Sequence, residues 1–140
     1  MGNVILIVED DPKSLKLVRD LLQASGYAII EATDGRQGIE LARAKKPDLI
    51  FMDIQMPVVN GLEATKILKK DRTTMGIPII ALTASAMKED EAKAFQAGCD
   101  GYITKPIDIR RFLKKAKAYL AGHIDPAVNE RGSGQSAKNT

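Results

Sequence analysis

The stretch VILIVEDDP (residues 4–12) decides how the chain folds. Val4 to Val8 is an unbroken apolar run, rich in β-branched residues and too short for a helix. It lacks the in-out alternation of a half-exposed strand, so it reads as a strand covered on both faces. Three acids and a proline follow at once. Asp11-Pro12 is a helix start: the carboxylate can cap free N–H groups, and proline suits the first helical position, where its missing N–H costs nothing. A buried strand that passes straight into a helix is the unit from which parallel sheets are built.

The unit repeats along the chain. Further strands are predicted at Ala28–Ala32, Leu49–Met52, Ile77–Leu82 and Tyr102–Thr104. The first helix carries Leu15, Val18, Leu21 and Leu22 and is stopped by Gly26. Asp34 with Gln37, and Asn60 with Glu63, have the spacing of capping boxes. A fourth helix is predicted over Met87–Ala97, closed by Gly98. A fifth starts at Asp108, with Ile109, Phe112, Leu113, Ala116 and Leu120 on one face. Right-handed crossovers between parallel strands put helices on both faces. The expected fold is therefore α/β: a doubly wound, five-stranded parallel sheet of order 2-1-3-4-5 flanked by five helices, with its site at the carboxyl ends of the strands.

Composition agrees and excludes several classes. With 140 residues, 44% of them hydrophobic and 28% charged, the chain reads as one globular domain over 1–121. From 122 to 140, Gly, Ser, Asn and Pro replace the pattern, and a disordered tail is expected. The lone Cys99 rules out an internal disulfide and reads as a small buried residue. The lone His123 makes a multi-histidine metal site implausible. No apolar run approaches the roughly 20 residues that span a bilayer, and the N-terminus lacks signal-peptide features. A cytoplasmic protein without membrane contact is expected. The net charge is +3, and Asp108 to Leu120 alone carries +4, through Arg110, Arg111, Lys114, Lys115 and Lys117 against Asp108. With aromatics at 4% and no reading motif, this basic helix reads as a solvated face, and direct DNA binding is not expected.

The strand ends carry chemistry. The first ends in Glu9, Asp10 and Asp11, the third meets Asp53, the fourth Thr83, and the fifth Lys105-Pro106. In the order 2-1-3-4-5 these ends are neighbours. Asp11 is assigned to the helix cap. Glu9, Asp10 and Asp53 repel one another unless some are protonated or a cation sits among them. With oxygen donors only, magnesium is the simplest guest. Such an ion, together with Lys105, would leave the pocket near neutral and able to receive a phosphoryl group, with Thr83 as a donor to its oxygens and Asp53 as nucleophile. Two rival chemistries fit less well. A phosphohydrolase with its nucleophile after the first strand lacks chain length for a cap. A nucleotide or flavin binder needs glycine where Glu9 to Ser14 offers three acids.

ILIVEDDP (5–12), DLIFMDIQMPVVNGLE (48–63), PIIALTASA (78–86) and GCDGYITKPID (98–108) together resemble the receiver domains of two-component response regulators, over about residues 3 to 121. Within that family the chain is most similar to stand-alone regulators of the DivK type and to hybrid-kinase receivers. The resemblance implies a CheY-like fold and a phosphoacceptor switch that is not a turnover enzyme, beyond magnesium-dependent self-phosphorylation and dephosphorylation. It implies that Asp53 takes the phosphoryl group from a histidine kinase or histidine phosphotransfer protein. It further implies Mg2+ held by Asp10, Asp53 and the main-chain carbonyl of Gln55, with Glu9 acting through water. Lys105 would pair with phosphoryl oxygens, Thr83 and Tyr102 would form the switch, and the Lys105–Pro106 bond would be cis. Output would pass through the Met87–Leu120 face to a protein target, by a monomer or a phosphorylation-dependent dimer.

Overall fold

In the computed structural model, residues 3–56, 59–84 and 86–122 are described. The tail expected beyond 122 lies outside them. Strands β1 (Val4–Val8), β2 (Ala28–Ala32), β3 (Leu49–Asp53), β4 (Ile79–Thr83) and β5 (Gly101–Thr104) alternate with helices α1 (Pro12–Ala24), α2 (Gly35–Lys45), α3 (Gly61–Lys70), α4 (Lys88–Ala97) and α5 (Ile109–Leu120). All pairings are parallel, in the order β2-β1-β3-β4-β5, as the sequence predicts.

Strand pleating divides the core in two. Leu6, Val8, Ile50, Met52, Ile79 and Ala81 face α2, α3 and α4. Ile5, Ile7, Leu49, Phe51, Ile80 and Leu82 face α1 and α5. Both faces of β1, β3 and β4 are thus buried, which is why their sequences do not alternate. Each of the larger side chains contributes about 1.5–3 kcal/mol by leaving water. The residues at strand ends are therefore held on a rigid support.

Helix starts follow their caps. Asp11, Asp34, Asn60 and Asp108 each accept a hydrogen bond from the backbone N–H three residues on. Helix α4 is the exception: Met87 offers no side-chain cap, and only Ala94 and Ala97 are buried. Gly98 ends it with φ 111°, a left-handed conformation that favours glycine.

Three details depart from the sequence reading. The fourth strand begins at Ile79, two residues later than expected, because the Ile77 N–H is spent on the carbonyl of Thr74 and Pro78 has no N–H to offer. Asp53 and Thr83 are the last residues of their strands rather than the first beyond them, paired with Leu82 and Thr104. Ile109 stays half exposed: contact of α5 with the sheet starts a turn later, where the Phe112 ring lies 4.7 Å from that of Phe51.

Candidate functional site

The parallel sheet brings four of its C-terminal strand ends to one edge. The register carries Val8 opposite Met52, Asp53 opposite Leu82 and Thr83 opposite Thr104. Glu9 and Asp10 thus come up beside Asp53, with Thr83 and Lys105 on the far side. The β-ladder is prolonged past the strands: Glu9 N–H donates to the Ala32 carbonyl, Ile54 N–H to Leu82, and Lys105 N–H to Thr83. These bonds fix the backbone from which the polar side chains project.

Glu9, Asp10 and Asp53 each offer a carboxylate oxygen, all within 4.8 Å of one another. Glu9 is fully buried and Asp53 is 3% exposed, whereas Asp10 faces solvent. The Lys105 ammonium donates to Glu9 Oε1 at 2.8 Å and stands 3.9 Å from Asp53 Oδ2. The other oxygen of Glu9 accepts the Asp11 N–H at 3.2 Å, and Asp53 Oδ1 accepts the Gln55 N–H at 3.0 Å. The Lys105–Pro106 peptide is cis.

One ammonium among three carboxylates leaves the cluster short of positive charge. The consequence falls on Asp53. Burial, then the hydrogen bond shared with Glu9, raises its pKa to about 7; the Gln55 N–H and the Lys105 charge pull the other way and only partly offset this. A buried carboxyl short of positive charge within an all-oxygen cluster suits a hard divalent cation. Such an ion would supply the missing charge and tolerate a solvent-facing ligand such as Asp10. No sulfur or imidazole lies in the cluster to favour zinc.

Asp11, three residues beyond the strand, is not part of the cluster. Its Oδ2 accepts from both N–H and Oγ of Ser14, which lowers its pKa, so it is the α1 cap the sequence suggests. Thr83 is buried at the end of β4. Tyr102, opposite Ala81 on edge strand β5, is half-buried, with its ring 6.2 Å from that of Phe95 on α4. It also lines a shallow groove with Asp108, Arg111, Phe112 and Lys115. Cys99 is buried against Thr65, and burial pushes its thiol up to about 12.

Two features of the site escape a reading of the sequence. Lys105 pairs directly with Glu9, to which the family resemblance gives a water-mediated role. The Gln55 N–H, on a residue to which the resemblance gives only a carbonyl role, donates to Asp53 Oδ1. Neither leaves a trace in residue spacing: the first contact joins residues 96 apart, and the second is a backbone turn.

An acidic cluster with a lysine, at the carboxyl edge of a sheet of order 2-1-3-4-5, defines a class of phosphoacceptor switches. The chain matches the response regulator receiver domain model over residues 5–117 and belongs to that family, placing it in two-component signalling. It is 51% identical over 120 residues to the polar-differentiation response regulator DivK of Brucella anthropi, covering 86% of this chain and 98% of that protein. Among solved structures it resembles the receiver domain of the sensor histidine kinase PA1611 of Pseudomonas aeruginosa. That likeness has a TM-score of 0.82 at 31% identity, over 87% of this chain and all of that one. The PA1611 domain carries a magnesium ion in its active-site cleft. The Vibrio cholerae chemotaxis protein CheY4 aligns with a TM-score of 0.79 at 28% identity, over 84% of this chain and 98% of that one. No helix among the described residues is long and apolar enough to cross a membrane.

Proposed function

We propose that Asp53 accepts a phosphoryl group from a histidine of a sensor kinase or phosphotransfer protein, and that the resulting acyl phosphate switches protein contacts. The reading is carried by one observation: a buried carboxylate at a strand end, ringed by two further carboxylates and a lysine, with a backbone N–H holding one of its oxygens.

The residues divide the work. Asp10, Asp53 and the Gln55 carbonyl would hold Mg2+, with Glu9 acting from behind. When bound, that ion neutralises phosphoryl oxygens and keeps Asp53 ionised. The Gln55 N–H holds Asp53 Oδ1, which leaves Oδ2 to attack. A new P–O bond forms as the P–N bond of the phosphohistidine breaks. Its electron pair stays on the departing ring nitrogen, which leaves as neutral imidazole when the other nitrogen carries the proton. Lys105 is already within reach of both carboxylates, and it would transfer its donor from Glu9 to a phosphoryl oxygen. The buried Thr83 hydroxyl would serve a second oxygen.

Output follows from a population shift. Thr83 drawn towards the new group would vacate space that the Tyr102 ring, now beside Phe95, would turn inward to fill. That changes the surface formed by α4, β5 and α5. The +4 charge of α5 and its flanks selects a partner with complementary acidic groups. The protein is then a switch rather than a turnover enzyme.

Phosphoramidate with Mg2+ tests the assignment. The wild-type protein should gain the mass of one phosphoryl group, lost on hydroxylamine treatment, and Asp53→Asn should gain none. Equal uptake by both proteins would remove Asp53 from the role.

A further inference from the structure

We propose that Gly61 is a positioning residue for Asp53 and Gln55, acting through backbone proximity; the inference rests on the functional reading above. Gly61 is the first residue of α3 and has no positive φ, so conformational freedom does not explain the glycine. Space does. A Cβ at position 61 would overlap the Asp53 carbonyl oxygen, and would lie 2.6 Å from the Ile54 Cα and 2.9 Å from the Asp53 carbonyl carbon. All three are backbone atoms, and none can rotate aside as a flexible side chain would.

The question is which partner would yield. Helix α3 is anchored: Asn60 Oδ1 caps the Glu63 N–H at 3.0 Å, and Ala64, Thr65 and Leu68 are buried against the sheet and its neighbours. The strand is held by the sheet only as far as Ile54, whose N–H makes the last ladder bond, to the Leu82 carbonyl at 3.2 Å; beyond it the backbone is tied back to Asp53 through the Gln55 N–H at 3.0 Å. An added methyl therefore tilts the Asp53–Ile54 peptide and shifts the turn at 54–55, where the ladder ends. That moves the Asp53 carboxylate and the Gln55 peptide together, the two groups that orient the acceptor and would hold the cation.

Gly101 provides the control. A Cβ there would run into the Tyr119 hydroxyl, a side-chain group that can give way at the expense of its bond to the Asp100 carbonyl, and it lies at the start of β5, at the other end of the strands from Asp53.

The test compares the wild type with Gly61→Ala, Asn60→Ala and Gly101→Ala. Two quantities are read: Mg2+ affinity by calorimetric titration, and amide exchange of Gln55 by NMR in the metal-free protein. In Gly61→Ala the affinity should fall about tenfold, the scale at which supports around metal ligands act, and Gln55 exchange should quicken. Asn60→Ala loosens the start of α3 without a clash and should lower affinity about threefold, as expected from losing a cap. Gly101→Ala should melt earlier yet keep wild-type values of both. Wild-type affinity and exchange in a folded Gly61→Ala protein, or parallel losses in Gly61→Ala and Gly101→Ala, would overturn the inference. If Gly61→Ala does not fold, wild-type values in Asn60→Ala overturn it. Should the wild type bind Mg2+ but take no phosphoryl group on Asp53, the phosphoacceptor reading fails, while the positioning role is still decided by these two readouts.

Discussion

Replacing Asp53 by asparagine should stabilise the metal-free protein, by an amount that depends on pH. In the folded chain the Asp53 pKa is raised to about 7, against an ordinary value of 3.8, first by burial and then by its hydrogen bond with Glu9. Between about pH 4 and pH 7 the folded state therefore holds a proton that the unfolded state has released. Stability must fall as pH rises through that window and then level off. The rise from 3.8 to about 7, at about 1.36 kcal/mol per tenfold change in proton affinity, sets a ceiling of about 4 kcal/mol by pH 8. Relaxation of the side chains and entry of water reduce this, so about 2–4 kcal/mol is the expected range. The amide introduced by Asp53→Asn keeps the shape of the carboxylate, accepts the Gln55 N–H and carries no charge. Urea unfolding with a chelator at pH 5, 6, 7 and 8 should therefore give curves for the two proteins that diverge with rising pH, the variant being more stable at pH 8. Added Mg2+ should reverse the order, because only the wild type gains by binding it. Parallel pH profiles in the chelator would refute the reasoning, since Asp53 would then carry no penalty to relieve.

Other outcomes follow from neighbouring groups. Lys105→Met leaves the fully buried Glu9 without its 2.8 Å partner and should cost about 3 kcal/mol by urea unfolding at pH 8; unchanged stability would contradict this. Asp11→Ala should cost about 1 kcal/mol as a lost cap and lower Mg2+ affinity no more than the lost Asn60 cap does; a fall of about tenfold or more, the scale of losing a ligand's support, would place Asp11 in the metal cluster. Cys99, buried with its thiol pushed up to about 12, should resist iodoacetamide at pH 8 in the native protein and react once unfolded, as followed by mass; rapid native labelling would show the pocket to be open.

The order of elements was legible in the chain because burial on both faces of a parallel strand leaves a run such as Val4–Val8 or Leu49–Phe51 with no polar break, and because Asp11, Asp34, Asn60 and Asp108 announce the helices they cap. From that order, strand-crossover chirality leads to the sheet, and the sheet places Glu9, Asp10, Asp53 and Lys105 at one edge. Element ends were less legible: whether Asp53 belongs to its strand depends on a hydrogen bond to a neighbour, which no local pattern encodes.

Tertiary structure alone decided the rest. That Lys105 spends its charge on Glu9, and that Asp53 is pushed towards neutrality, depend on distances of a few ångströms between residues far apart in sequence, and on the water that packing excludes. Gly61 shows the same division. Sequence supplies a glycine at a helix start, where most residues would serve, and only the approach of α3 to the Asp53 carbonyl says why no side chain fits. Short-range periodicity and capping are written residue by residue; charge balance and close contact arise only when separate segments meet.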